Sequence, residues 1–301
     1  MRLIRRAAAA EAADPGVVLQ LAILLQTGIA PDRAWCHLAE TDATARIVVA
    51  ERERGADLAA AIGAAGDGWR EVGIAWRVAA TVGAPLAGSL RAIAVALGDA
   101  SDTRDEVRVA LAEPAGTARL MSWLPLVGVA LGSALGFDTV RTLVTDPFGV
   151  ACLVAGLALM LAAHRWNAAL ARRAAPGRGV PGLDAELLAI ALSGGVSLDR
   201  AREIVADAGG ALADEDDPAG GGTETARILA LSASAGVPAV ELLRACASMA
   251  RHRARTTGRV RAARLSTRLL IPLGVCTLPA FLLLGVAPML LSILSSTPLS
   301  L

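Results

Sequence analysis

Lysine is absent from all 301 residues, so all 29 basic side chains are arginine. That excess of arginine reads mainly as a compositional habit of the source genome. A Walker A phosphate loop needs its lysine, so ATP hydrolysis by that route is excluded. Aromatic residues make up only 3% of the chain, against 54% hydrophobic residues rich in alanine, and helix is the expected state. The four cysteines, Cys36, Cys152, Cys246 and Cys276, are widely scattered, with no CxxC pair and no zinc spacing. Two of them lie in apolar runs and read as small packing residues. His37, His164 and His252 are isolated, and neither HExxH nor GxSxG occurs. The stretch GRGVPG, Gly177 to Gly182, formally satisfies GxGxxG. It contains a proline, follows an arginine-rich flank and precedes no βαβ pattern, so it reads as a linker. No convergent His, Cys or carboxylate set remains. Neither a catalytic site nor a metal, cofactor or nucleic-acid partner is expected.

Three charge-free apolar runs stand out against this background: residues 120–137, 148–163 (extending through Trp166) and 269–294. A bilayer core takes roughly 20 helical residues, so the first two are short but adequate and the third is generous. Pro272, Pro279 and Pro288 should tilt or kink that third run. Flanking charge predicts the orientation. The connector 138–147 holds Asp138, Arg141 and Asp146, whereas Arg165, Arg172, Arg173 and Arg178 follow the second run with no acid before Asp184. Seven arginines and no acid fill 251–268, before the third run. Residues 1–119 and 167–268 are therefore expected in the cytoplasm, with the 138–147 loop and the 295–301 tail outside. The start, MRLIRRAAAAEAADPG, is basic but has no apolar core after it, so no cleavable signal peptide is expected.

The chain also repeats itself, which bears directly on architecture. LAILLQTGIAPDRA (21–34) matches LAIALSGGVSLDRA (188–201), and TVGAPLAGSLRA (81–92) matches SAGVPAVELLRA (234–245). The second copy is fourteen residues shorter between the blocks. Gly28, Gly83, Gly195 and Gly236 are the expected turn glycines, ending helices in a left-handed cap. Pro31-Asp32, and Ser197 with Asp199, then suit helix starts. Each copy reads as a helical unit leading into a span. The first and third spans leave the cytoplasm in the same direction, so the repeats are parallel, unlike the inverted repeats usual in transporters. The expected fold is an all-α integral membrane protein: helical-bundle domains at 1–119 and 167–268, with spans at 120–137, 148–166 and 269–294.

This order, carried by LLQTGIAPDRA, VGAPLAGSLRAIA, MSWLPLVGVALGSALGFD, ALSGGVSLDRA, SAGVPAVELLRA and RLLIPLGVCTLPAFLLLGVAPMLLSIL, resembles the type II secretion system F family. The resemblance is nearest to the TadB/TadC-like members of tight-adherence (Flp) pili. It implies a bacterial inner-membrane platform, not an enzyme, that couples a cytoplasmic assembly ATPase to insertion or extraction of pilin-like subunits. Its other implied partners are membrane lipid and a second platform protein or a second copy. The Gly/Ala-rich GADLAAAIGAAGDG departs from the family, leaving the inner helices of the first repeat open.

Two charged segments are candidate partner contacts. The acidic stretch with Asp214, Asp216 and Asp217 reads either as a solvated loop or as a cation or partner site. The arginine run, with Arg255, Arg259 and Arg261, reads either as an anchor to anionic lipid or as a docking face for the motor. Asp32-Arg33 and Asp199-Arg200 read as intrachain helix-start contacts or partner sites. The rival function is a small multi-span transporter, which would place ionisable residues inside its spans; these runs have none.

Overall fold

Aspartates start three of the helices in the first repeat, and left-handed glycines follow several of them. Asp14 accepts from the Gly16 amide at 2.7 Å and opens α1 (Pro15–Gln26), which stops at Gly28. α2 (Pro31–Ala39) follows, then α3 (Ala43–Glu53), capped by Asp42, and α4 (Leu58–Gly63), capped by Asp57. α5 (Trp69–Val82) ends at Gly83, and α6 runs unbroken over Leu86–Ala134. α7 is Pro147–Ala174. The second repeat supplies α8 (Leu183–Ser193), α9 (Leu198–Gly209), α10 (Gly221–Ala235) and α11 (Ala239–Pro272). This computed structural model describes residues 13–66, 68–134, 141, 144–174, 179–209, 221–288 and 290. Among the described residues every regular element is helical.

The repeat is geometric as well as textual. Gly28 and Gly195 have φ of 87° and 81°, and Gly83 and Gly236 have 71° and 65°, all in the left-handed region that glycine alone enters freely. The Gly28 amide donates to the Leu25 carbonyl and the Gly195 amide to Leu192, at equivalent places and at 3.1 and 3.0 Å. The first repeat inserts α3 and α4 where the second has only 210–220, which lies outside the described residues.

Met1–Thr103 and Gly177–Thr256 form one compact unit, and Arg104–Pro176 with Thr257–Leu301 form another. Helical domains at 1–119 and 167–268 were expected; the helical parts of both repeats share one hydrophobic core. The reason lies in α5 and α8. Both are buried almost all round, including Val72, Trp76 and Val78 on one and Leu187, Ala189 and Ile190 on the other. α5 keeps only a narrow face with Arg70, Arg77 and Thr81 exposed, and it packs against both α8 and α9. Glycine makes the approach close: a Cβ on Gly194 would stand 2.6 Å from the Val82 carbonyl oxygen, and one on Gly73 would stand 2.6 Å from that of Ala59. Trp35 and Trp69 meet edge to face at 5.9 Å within the same core.

The second unit contains the described parts of the three apolar runs. Pro147–Leu170 is the one described helix long and apolar enough to cross a membrane. The run 120–137 falls on the end of α6, with 135–137 outside the described residues. The run 269–294 continues α11 through a π turn (Leu273–Thr277), a short helix α12 (Leu278–Phe281) and a second π turn (Leu282–Val286), with 289 and 291–294 outside the described residues. The prolines explain the π turns. Pro279 and Pro288 have no N–H for the carbonyls four residues back, Val275 and Leu284, and each of those sits mid-way in a π turn. Widening to an i→i+5 bond, as Ala287 makes to Leu282, lets the helix continue past the missing donors. Glycines again set the contacts. A Cβ on Gly128 of α6 would reach the Phe281 ring at 3.0 Å, and one on Gly156 of α7 would meet Leu284 at 2.5 Å.

The two kinds of glycine predict two kinds of mutational cost. Gly28→Val and Gly195→Val meet nothing within 4 Å, so each should lose only the left-handed strain, about 1–2 kcal/mol. Gly194→Ala has an ordinary backbone, with φ −78°, but collides with Val82, and overpacking of this kind costs about 1–3 kcal/mol. Melting of the full-length variants in detergent checks both. A Gly195→Val protein that melts with its parent removes the left-handed turn.

Candidate functional site

The arginine run lies on a helix, and a helix has faces. Positions 251, 255 and 259 recur every four residues and share one side of α11, whereas 261, 264 and 268 fall on another. The first side meets acid. Arg251 is largely covered, its side chain 11% exposed, and ion-paired to Asp99 of α6 at 2.9 Å and to Glu186 of α8 at 3.5 Å, with Glu186 itself 3% exposed. Arg259 closes a two-pronged pair on Glu106 of α6, with Nε to Oε2 at 2.7 Å and Nη2 to Oε1 at 2.9 Å. Arg255 is half-buried on the same side. Arg259 is therefore spent inside its own chain, and two-pronged arginine–carboxylate geometry holds it there. Arg261, Arg264 and Arg268 point outward.

The outward stripe continues with a change of chemistry. After Arg261, Arg264 and Arg268, the positions in the same i+3, i+4 progression are Ile271, Val275, Leu278 and Leu282, all exposed aliphatics. α7 shows the reverse order, with exposed Val150, Val154, Leu157 and Leu161 giving way to His164, Arg165 and Trp166. On α6, Trp123, Leu126, Val127 and Leu131 are exposed as well. So much exposed aliphatic surface marks contact with something other than water. An aliphatic stripe that ends in arginine is how a helix leaves a bilayer on its cytoplasmic side.

The other candidates resolve locally. Asp32 pairs with Arg52 of α3 at 3.0 Å, and the hydrogen bond and charge of Asp32 raise the Arg52 pKa above its ordinary value, so it stays a cation throughout the physiological range. Arg200 pairs with Glu203 and Asp199 with Arg202, both within α9. Asp214, Asp216 and Asp217 lie outside the described residues. Beside the Asp32–Arg52 pair is an open cleft of about 250 Å³ floored by Trp35, Val48 and Leu58, below the usual size of a ligand pocket. Among the described residues no group of three or more His, Cys, Asp or Glu is placed to hold a metal ion.

Sequence reasoning missed Asp99, Glu106 and Glu186 as the acids that take up the arginines. A signal for two of them was present: DASDTRDE, 99–106, precedes the first apolar run as the arginine run precedes the third.

The family model for type II secretion system (T2SS), protein F, a family of structural inner-membrane platform proteins, matches residues 17–133. No curated protein matches the chain.

Burial separates the arginines by cost. Arg251→Met leaves Glu186 buried and uncompensated, which should destabilise the fold by about 3–5 kcal/mol. Arg259→Met, at a more exposed pair, should cost about 1 kcal/mol or less. Denaturant titration of both variants checks the order; equal costs would mean that Arg251 is not the buried partner of Glu186.

Proposed function

We propose that this chain is an inner-membrane platform protein of a type II secretion or type IV pilus machine of the tight-adherence kind, with three spans and a cytoplasmic N-terminus. Its compact helical unit receives movement from a cytoplasmic assembly ATPase, and its spans pass that movement to a pilin-like subunit in the bilayer. The observation that carries the reading is the continuity of α6, which runs for 49 residues from the helical core of the first repeat into the exposed aliphatic stripe at Trp123–Leu131. Pro114 and Pro125 each remove one backbone hydrogen bond from this helix, yet it stays helical throughout, and a helix transmits displacement that a loop would absorb. The match to protein F over 17–133 covers this same helix almost to its end and supports the platform reading. The two arginine-terminated aliphatic stripes, on α7 and α11, support the orientation. The chain is not an enzyme in this reading; its work is done on partners.

Two experiments test the proposal. A reporter fused after Leu301 should read as external, and reporters inserted near Ala60 and Ala219 as cytoplasmic; a cytoplasmic C-terminus overturns the three-span topology. Purified protein should show no ATPase activity alone, yet retain a secretion-type ATPase of its own organism at low salt. Capture should weaken as salt rises, because exposed charges are screened over about 8–10 Å. Reversing the outward Arg261 to glutamate should lower capture several-fold, while the joint change Glu106→Gln with Arg259→Gln, which removes an internal pair, should leave it near the parent level. Recovery of no such ATPase, with solute uptake into proteoliposomes instead, replaces the platform with a transporter.

A further inference from the structure

The two repeats are joined by a contact that the chain uses once, although it carries both of its surfaces twice. The face of α8 in line with Gly194 is Leu183, Leu187 and Ile190, all buried, and Gly194 lies directly under Val82 of α5. α5 thus donates and α8 accepts. By the repeat register, the acceptor's counterpart on α1 is Gly16, Gln20, Ile23 and Thr27, and every one of these is exposed, with Ile23 at 48% and its neighbour Leu19 at 40%. The donor's counterpart is on α10. Val78 and Ala84, both buried, correspond to Leu231 and Val237, exposed at 54% and 42%. Repeat one therefore holds an open acceptor and repeat two an open donor. A two-fold relation between the repeats would have closed both contacts at once. This one is head to tail, and a head-to-tail contact leaves its two ends free for further copies.

We propose that α10 of one copy docks on α1 of a second copy of this chain, repeating between chains the contact that α5 makes with α8 within one. The side chains at the closest point support that occupant. Inside the chain a valine, Val82, sits on a glycine, Gly194. At the equivalent places the open donor offers the smaller Ala235 and the open acceptor the larger Thr27. The volume moves from one side of the contact to the other while the pair keeps nearly its total, which is the exchange a packed contact tolerates best. Ile23 against Leu231 supplies the apolar centre, and Gln20 leaves it partly polar, so the contact is a reversible one. The inference needs only the repeat and its packing; it holds or fails whatever machine the chain serves.

The test uses the full-length chain in mild detergent. Ile23→Glu destroys the acceptor alone and Leu231→Glu the donor alone; both positions are exposed, so circular dichroism should show parental helix content and melting. The parent should self-associate in a concentration-dependent way at micromolar levels, and each variant alone should associate at least tenfold more weakly. Mixed one to one, the variants should recover dimers and stop there, since only one intact acceptor and one intact donor meet. In a Cys36→Ser background, chains carrying Ile23→Cys should cross-link to chains carrying Leu231→Cys, and neither should cross-link to itself. Self-cross-linking at Ile23→Cys would mean a two-fold interface and overturn the proposal. So would a parent that stays monomeric, variants that associate like the parent, or a mixture that fails to pair.

Discussion

The seating of Val82 on Gly194 is the contact on which the helical unit depends. It lets two largely buried helices, α5 from one repeat and α8 from the other, close to backbone distance, so that neither repeat folds around a core of its own. Burial follows from this. Trp76 and Val78 of α5 and Leu187 and Ile190 of α8 are all buried in the shared core. A chain with only 3% aromatics cannot fill space with large rings. It gains density through alanine and glycine, which bring helix backbones together and multiply weak dispersion contacts. The same device recurs among the apolar runs, where Gly128 and Gly156 take the place of side chains against Phe281 and Leu284. Where the surroundings are lipid, close packing between small residues is the main attraction available to helices.

Much of this was legible in the sequence, and the limits of legibility are physical. The turn glycines were readable because a left-handed residue at a helix end has few chemical solutions, and Gly28, Gly83, Gly195 and Gly236 all adopt it. Helix starts at Asp32 and Ser197 were readable for the same local reason; the Arg200 amide reaches the Ser197 hydroxyl at 3.4 Å. The sharing of one core by both repeats was not, because an apolar helix face says only that it is covered and not by what. Hydropathy pointed to three long runs, yet only Pro147–Leu170 meets the length and composition of a span among the described residues. The runs at 120–137 and 269–294 are carried by helices that begin far earlier in charged sequence, and the second is broken by proline-linked π turns.

The candidate site shows the same division. Charge density was visible in 251–268, but a run read as a string has no sides. Wound into α11, it separates into arginines that neutralise acid within the chain and arginines that meet the surroundings. Arg259 was expected at a lipid anchor or a docking face, and it makes two hydrogen bonds to Glu106. Arg261, two residues on, is turned by about 200° and keeps the outward position.

That separation gives the repeats distinct roles. Equivalent helices α6 and α11 lead from the shared core toward apolar sequence, but α6 carries the acids Asp99 and Glu106 and α11 the arginines Arg251 and Arg259. Two such helices pair with each other and repel copies of themselves. Largely covered Arg251, held between Asp99 and Glu186, adds little net stability, since removing two charges from water consumes most of what their attraction returns. What it contributes is register. A slip of α11 past α8 by a single turn would leave Glu186 buried without a counter-charge, a penalty far larger than the loss of any one apolar contact. Apolar helices lined with alanine slide easily, because one small residue resembles the next. The ion pairs fix which turn of α6 faces which turn of α11 and hold α11 in place on α8.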